Sequence, residues 1–102
     1  MSDFLTARER LAQVLLSAEE PLDVYQLQRL AGIDLRPSEI YDELEHVART
    51  LKRRGVKLAV VPARCRSCGY EFKDRGRLKK PSRCPVCRSE RIDPPKFYVT
   101  SS

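Results

Sequence analysis

No apolar run in the chain approaches the roughly 18 residues of a membrane-spanning helix, so no membrane segment is expected. Glycine occurs only four times, and no Gly-rich phosphate loop is present. The single histidine, His46, has no second imidazole to complete a zincin motif or a metal pair, and reads as a surface or Asp42-paired side chain. There is no serine–histidine–acid set. These absences argue against an enzyme, and no small-molecule substrate is evident. No low-complexity tract or internal repeat is visible. The opening Met1-Ser2-Asp3-Phe4 has neither the basic stretch nor the apolar run of an export signal, so a reducing, cytoplasmic setting is expected.

Cysteine is scarce too, but its placement is informative. All four cysteines lie in Cys65-Arg66-Ser67-Cys68 and Cys84-Pro85-Val86-Cys87, separated by residues 69–83. Two residues between cysteines let one tight turn aim both sulfurs at one point, and the spacer is long enough for a strand, a loop and a return. The pattern predicts a tetrahedral four-thiolate metal site at Cys65, Cys68, Cys84 and Cys87. Gly69 suits the left-handed backbone that closes such a turn. Four thiolates leave no open position, so the site is structural, with zinc the default ion. Iron in a rubredoxin-like site remains the alternative, because all-sulfur tetrahedra suit both metals. An electron carrier, however, would have little use for the helical part of this chain. Disulfides would require an oxidising compartment.

The net charge of +6 is unevenly spread. Residues 1–48 carry −6, residues 49–62 carry +5 and residues 63–91 carry +7. An acidic front and a basic back suggest an anionic partner for the back half.

Along the chain, Thr6-Ala7-Arg8-Glu9 is a capping box, and Leu11, Val14, Leu15 and Ala18 repeat with helical spacing, predicting a helix over about 7–18. Asp23-Val24-Tyr25-Gln26 opens a second short helix, with Val24, Leu27 and Leu30 as its apolar face and Gly32 as its C-cap. A third helix starts near Pro37 or Ser38, buries Ile40, Leu44, Val47 and Leu51, and ends at Gly55. The period then changes: Val56–Val61 and Lys96–Val99 read as strands. Three helices followed by a hairpin predict an α+β fold, a winged helix-turn-helix with a four-cysteine zinc ribbon inserted between the two wing strands. The expected division is 1–62 plus 95–102 for the winged helix and 63–94 for the ribbon.

With these elements placed, the chain from Arg8 to Val99 resembles a small archaeal family of predicted transcriptional regulators, a winged helix-turn-helix carrying a rubredoxin-like zinc ribbon. The resemblance rests on Lys57 to Arg66, Cys68-Gly69-Tyr70-Glu71-Phe72, Pro81-Ser82-Arg83-Cys84-Pro85-Val86-Cys87 and Pro95-Lys96-Phe97. It implies zinc at the four cysteines, and DNA binding as an expectation from fold.

Duplex DNA is therefore the expected partner. Candidate phosphate contacts are Arg49, Lys52, Arg53 and Arg54 at the end of the third helix, and Lys73, Arg75, Arg77, Lys79 and Lys80 between the cysteine pairs. Arg36, Ser38 and Tyr41 are the candidate base readers. Tyr41 also reads as a core-edge residue, as does Tyr25, and Tyr70 and Phe72 as packing for the ribbon. One feature opposes simple major-groove readout. The first half of the third helix holds Glu39, Asp42, Glu43 and Glu45 and no base, a surface that phosphates repel. Acids early and bases late also suit the helix dipole, and Glu45 can pair with Arg49. In the ribbon, Arg64, Arg66, Arg83 and Arg88 can offset the charge of a zinc–tetrathiolate centre. The alternative is a transcription-associated adaptor. Its acidic helix would dock on a basic protein surface, and its ribbon would meet protein or RNA. Winged helices with zinc ribbons also resemble parts of general initiation factors.

Overall fold

The computed structural model describes residues 6–73 and 81–101. Local capping chemistry sets the helices. In α1 (Ala7–Ser17), Thr6 Oγ1 accepts from the Glu9 backbone N–H at 3.1 Å, and the Glu9 carboxylate reaches back to the Thr6 N–H. In α2 (Val24–Ala31), Asp23 Oδ1 accepts from the Gln26 N–H at 2.9 Å and Gln26 Oε1 accepts from the Asp23 N–H at 3.0 Å. Gly32 closes α2 in the left-handed conformation, with φ of 63°. In α3 (Pro37–Arg53), Arg36 is the N-cap and Pro37 occupies the first helical position. Glu39 Oε1 accepts from the Arg36 N–H at 2.9 Å. Only this half of a capping box operates, since an arginine side chain has no acceptor.

Two antiparallel pairs follow. Strand β1 (Val56–Val61) pairs with β4 (Lys96–Ser101), in a register running from Val56 opposite Ser101 to Val61 opposite Lys96. Between them, β2 (Arg64–Cys65) pairs with β3 (Ile92–Asp93), and Arg64 also bridges to Glu71. The described residues thus form a small α+β fold of three helices and short antiparallel sheet. No helix among the described residues is long and apolar enough to cross a membrane.

The main core lies between the helices and the β1/β4 pair. It contains Leu11 and Leu15 of α1, Val24, Leu27 and Ala31 of α2, Ile40, Tyr41, Leu44, Val47 and Leu51 of α3, and Leu22 and Phe97. Phe97 is its hinge pin. Its ring is fully buried and meets Tyr41 edge-on at 6.2 Å, while its backbone exchanges hydrogen bonds with Leu22 at 2.7 and 2.9 Å. That exchange ties the α1–α2 connection to β4. A separate cluster of Ala63, Cys65, Phe72, Cys84 and Ile92 underlies the cysteines.

One expectation fails in α2. Ala31, not Leu30, completes the buried stripe at 24, 27 and 31, and Leu30 is 62% exposed. A helix of this length has room for one face, and the small side chain takes the inward position.

Candidate metal centre and basic surface

The four cysteines converge through two turns that repeat each other bond for bond. In the first, the Gly69 N–H donates to the Cys65 carbonyl at 2.9 Å and the Cys65 N–H to the Tyr70 carbonyl at 2.8 Å. In the second, the Arg88 N–H donates to the Cys84 carbonyl at 2.9 Å and the Cys84 N–H to the Ser89 carbonyl at 2.9 Å. The residue after each second cysteine is left-handed: Gly69 has φ of 80° and Arg88 has φ of 61°. Backbone N–H groups also point at the sulfurs in matching positions. Cys65 accepts from Ser67 and Cys68, Cys84 from Val86 and Cys87, Cys68 from Tyr70 and Cys87 from Ser89.

All four sulfurs lie within 4.8 Å of one another, with Cys65–Cys87 at 3.5 Å and Cys68–Cys84 at 3.6 Å. A tetrahedron with metal–sulfur bonds of about 2.3 Å has edges of about 3.8 Å, so the cluster fits one zinc ion with little movement. The protonation behaviour agrees. For Cys65, burial opposes ionisation, but the N–H of Cys68, the Cys87 sulfur and the N–H of Ser67 outweigh it and bring the thiol to about 6. For Cys68, the Tyr70 N–H favours the thiolate, but desolvation and the neighbouring sulfurs of Cys84, Cys87 and Cys65 push it up to about 12. Cys84 is lowered and Cys87 raised by the same division. Four sulfurs this close cannot all carry charge without a cation, and a divalent metal removes that conflict. Cys65 and Cys84 are buried, while Cys68 and Cys87 face solvent.

Residues 6–59 match the PF0610-like N-terminal domain, and residues 62–102 match the PF0610 rubredoxin-like zinc β-ribbon domain. The chain belongs to the PF0610-like family. It is similar to protein PF0610 from Pyrococcus furiosus, known from a solution NMR structure. The two are 33% identical, with a TM-score of 0.73 over 94% of this chain and 90% of that one. No curated protein matches it. In this PF0610-like chain the four cysteines form the ribbon's structural zinc centre.

The basic candidates fall into three groups. Arg49, Lys52, Arg53 and Arg54 are exposed along the last turns and C-cap of α3, and Lys57 follows on β1. None of the five is in an ion pair among the described residues, so Arg49 is not paired with Glu45. Lys73 lies 3.4 Å from the Glu71 carboxylate. Arg75, Arg77, Lys79 and Lys80 lie outside the described residues. Arg66, expected to offset thiolate charge, is paired with Asp93.

Of the candidate base readers, Arg36 is exposed beside Glu39, at 3.4 Å, and Ser38 is exposed in the first turn of α3. Tyr41 is only 5% exposed. Its edge contact with Phe97 places it in the core, so it presents no surface to a base. Tyr70 and Phe72 meet edge-on at 4.9 Å within the ribbon.

Glu43 and Glu39 on α3 have structural roles. Glu43 binds Arg8 of α1 through two bonds, Nε to Oε2 and Nη2 to Oε1, each 3.1 Å. The bonded carboxylate raises the Arg8 guanidinium further above its ordinary value. The Arg36 N–H and then its guanidinium hold the Glu39 carboxyl below its usual value. The Arg8–Glu43 link, which joins α1 to α3, has no local signature in the sequence.

Proposed function

We propose that this PF0610-like chain is a non-enzymatic, duplex-DNA-binding transcription regulator. In this reading the α1–α2–α3 unit with the β1/β4 hairpin acts as a winged helix-turn-helix spanning 1–62 and 95–102. The zinc ribbon, 63–94, is a second positively charged contact. The observation that supports it most is the run Arg49, Lys52, Arg53, Arg54 and Lys57. Five exposed cations that make no ion pair among the described residues cover the junction of α3 and β1. The short segment between Gly32 and Pro37 gives α2 and α3 a tight connection. Pairing of Glu39 with Arg36 and of Glu43 with Arg8 offsets part of the negative charge that the first half of α3 turns toward a phosphate backbone. Contacts of this kind position a protein on DNA and carry little sequence information. Replacing Arg53 and Arg54 together by alanine should therefore weaken binding to unrelated duplexes by similar factors, while Glu45→Gln strengthens it. Unchanged duplex affinity in the arginine double variant would count against the proposal.

A second reading, a transcription-associated adaptor, draws on a different surface. Val14, Ala18, Leu22 and Leu30 line a groove of about 700 Å³ beside Glu19 and Glu20. An apolar floor with an acidic border suits a basic, apolar protein segment. Loss of association with purified RNA polymerase in Leu30→Ser, with DNA affinity kept, would favour this reading over the first.

A further inference from the structure

The β1/β4 pair has a second face that the core does not use. Leu58 stands opposite Val99 and Val60 opposite Phe97, and Leu58, Val99 and Phe97 face the core. Side chains alternate along a strand, so Lys57 opposite Thr100, Ala59 opposite Tyr98, and Val61 opposite Lys96 share the other face. Every member is exposed except the half-buried Ala59.

The chemistry of this face is specific. Tyr98 is 39% exposed and its cross-strand partner is an alanine, which leaves its ring without a large side chain opposite. Among the described residues, Tyr98 makes no ring contact and Lys57 and Lys96 make no ion pair. Lys96 is two residues from Tyr98 on the same strand, a step of about 7 Å, and Lys57 stands diagonally across on β1. A lone exposed tyrosine would mean little. An exposed aromatic ring between two cations on one strand-pair face is the arrangement that single-stranded nucleic acid uses: a base stacks on the ring while the backbone runs over the charges.

We infer that the outer face of the β1/β4 pair binds single-stranded nucleic acid, with Tyr98 stacking on an unpaired base and Lys57 and Lys96 holding the flanking phosphates. A duplex cannot use this ring, because its base faces are already stacked on one another. The site borders the surface assigned to duplex DNA and shares Lys57 with it, but Tyr98 and Lys96 belong to this face alone, so the Tyr98 variants test it apart from the duplex reading. Together they give the protein a preference for DNA with an opened segment.

The test uses the full-length zinc-loaded chain and fluorescence anisotropy with an oligo(dT) of about twelve nucleotides, within the length one small binding surface covers. A duplex of the same length runs in parallel. Tyr98→Leu keeps an apolar strand residue but removes the ring. It should weaken oligo(dT) binding about 5- to 100-fold, leave duplex binding within about twofold, and leave zinc stoichiometry and circular dichroism unchanged. Tyr98→Phe should bind oligo(dT) within about twofold of the parent. Lys57→Ala with Lys96→Ala should flatten the log–log salt dependence of oligo(dT) binding by about 1.4. The chain has no tryptophan, so Tyr98→Trp adds a direct probe whose emission should be quenched on oligo(dT) addition. Unquenched emission overturns the proposal. So does a Tyr98→Leu variant that binds oligo(dT) like the parent, or one that loses duplex and oligo(dT) affinity equally. If duplex binding fails while the Tyr98-dependent oligo(dT) binding holds, only the preceding reading falls.

Discussion

Gly69 and Arg88 occupy the same place in the two cysteine turns, so exchanging their chemistry should move the metal site in opposite directions. Both are left-handed, at φ of 80° and 61°. For an L-residue that conformation costs about 1–2 kcal/mol, and glycine avoids it. Gly69→Ala adds this cost. Its new Cβ would meet only the Arg64 guanidinium, at 3.4 Å and beyond, the far end of a flexible side chain. The penalty is therefore conformational rather than steric. Arg88→Gly removes a similar cost but gives back about 0.5–1 kcal/mol through the freer unfolded chain, for a net gain of up to about 1 kcal/mol. Ribbon folding and metal binding are linked, so these energies appear as zinc affinity. Competition against a chromogenic chelator should show Gly69→Ala binding zinc about 5- to 30-fold more weakly and Arg88→Gly equally well or up to about fivefold more tightly. A neutral Gly69→Ala together with a damaging Arg88→Gly would refute the equivalence of the turns.

Three further outcomes follow from the fold. Phe97→Ala empties the centre of the main core and should cost about 3–5 kcal/mol in urea unfolding, with Phe97→Leu losing less; a loss below about 1 kcal/mol would mean that Phe97 is not the hinge pin. The Glu39 carboxyl is depressed in the folded state, so its contribution is present above its ordinary value of 4.5 and is lost as pH falls through the lower folded value. The stability gap between the parent and Glu39→Gln should accordingly be open at neutral pH and close in acid, and a gap independent of pH would contradict the cap. Stripping zinc should abolish the near-ultraviolet signal of the Tyr70–Phe72 pair while far-ultraviolet helical signal persists, because the ribbon cluster shares no residue with the main core. Loss of both signals together would show the two clusters to be one cooperative unit.

What could be read in advance was what is local. The capping boxes of α1 and α2 involve residues three apart, and the cysteine spacing specifies a turn that builds itself, so each was visible as a short pattern. The strands appeared through the change of period after Gly55. Long-range choices were not visible. Leu30 and Ala31 both continue a helical stripe, and only packing against α1 and α3 decides which goes inward. Tyr41 reads both as a core-edge residue and as a candidate base reader, and only the contact with Phe97, far along the chain, decides for the core. Arg88 carries no left-handed signal of its own; its conformation is implied only by its equivalence to Gly69. The Lys57–Tyr98–Lys96 face required the strand register, which the separate strand patterns do not contain.

The most direct test of the central claim is duplex binding by the zinc-loaded chain across a salt series. Five cations at the α3–β1 junction, in no ion pair among the described residues, predict a log–log slope of about −3 to −4.5, reduced by about 1.8 in Arg53→Ala/Arg54→Ala. Intact, metal-bound protein that shows no duplex affinity near physiological salt, or binding with no salt dependence, would contradict it.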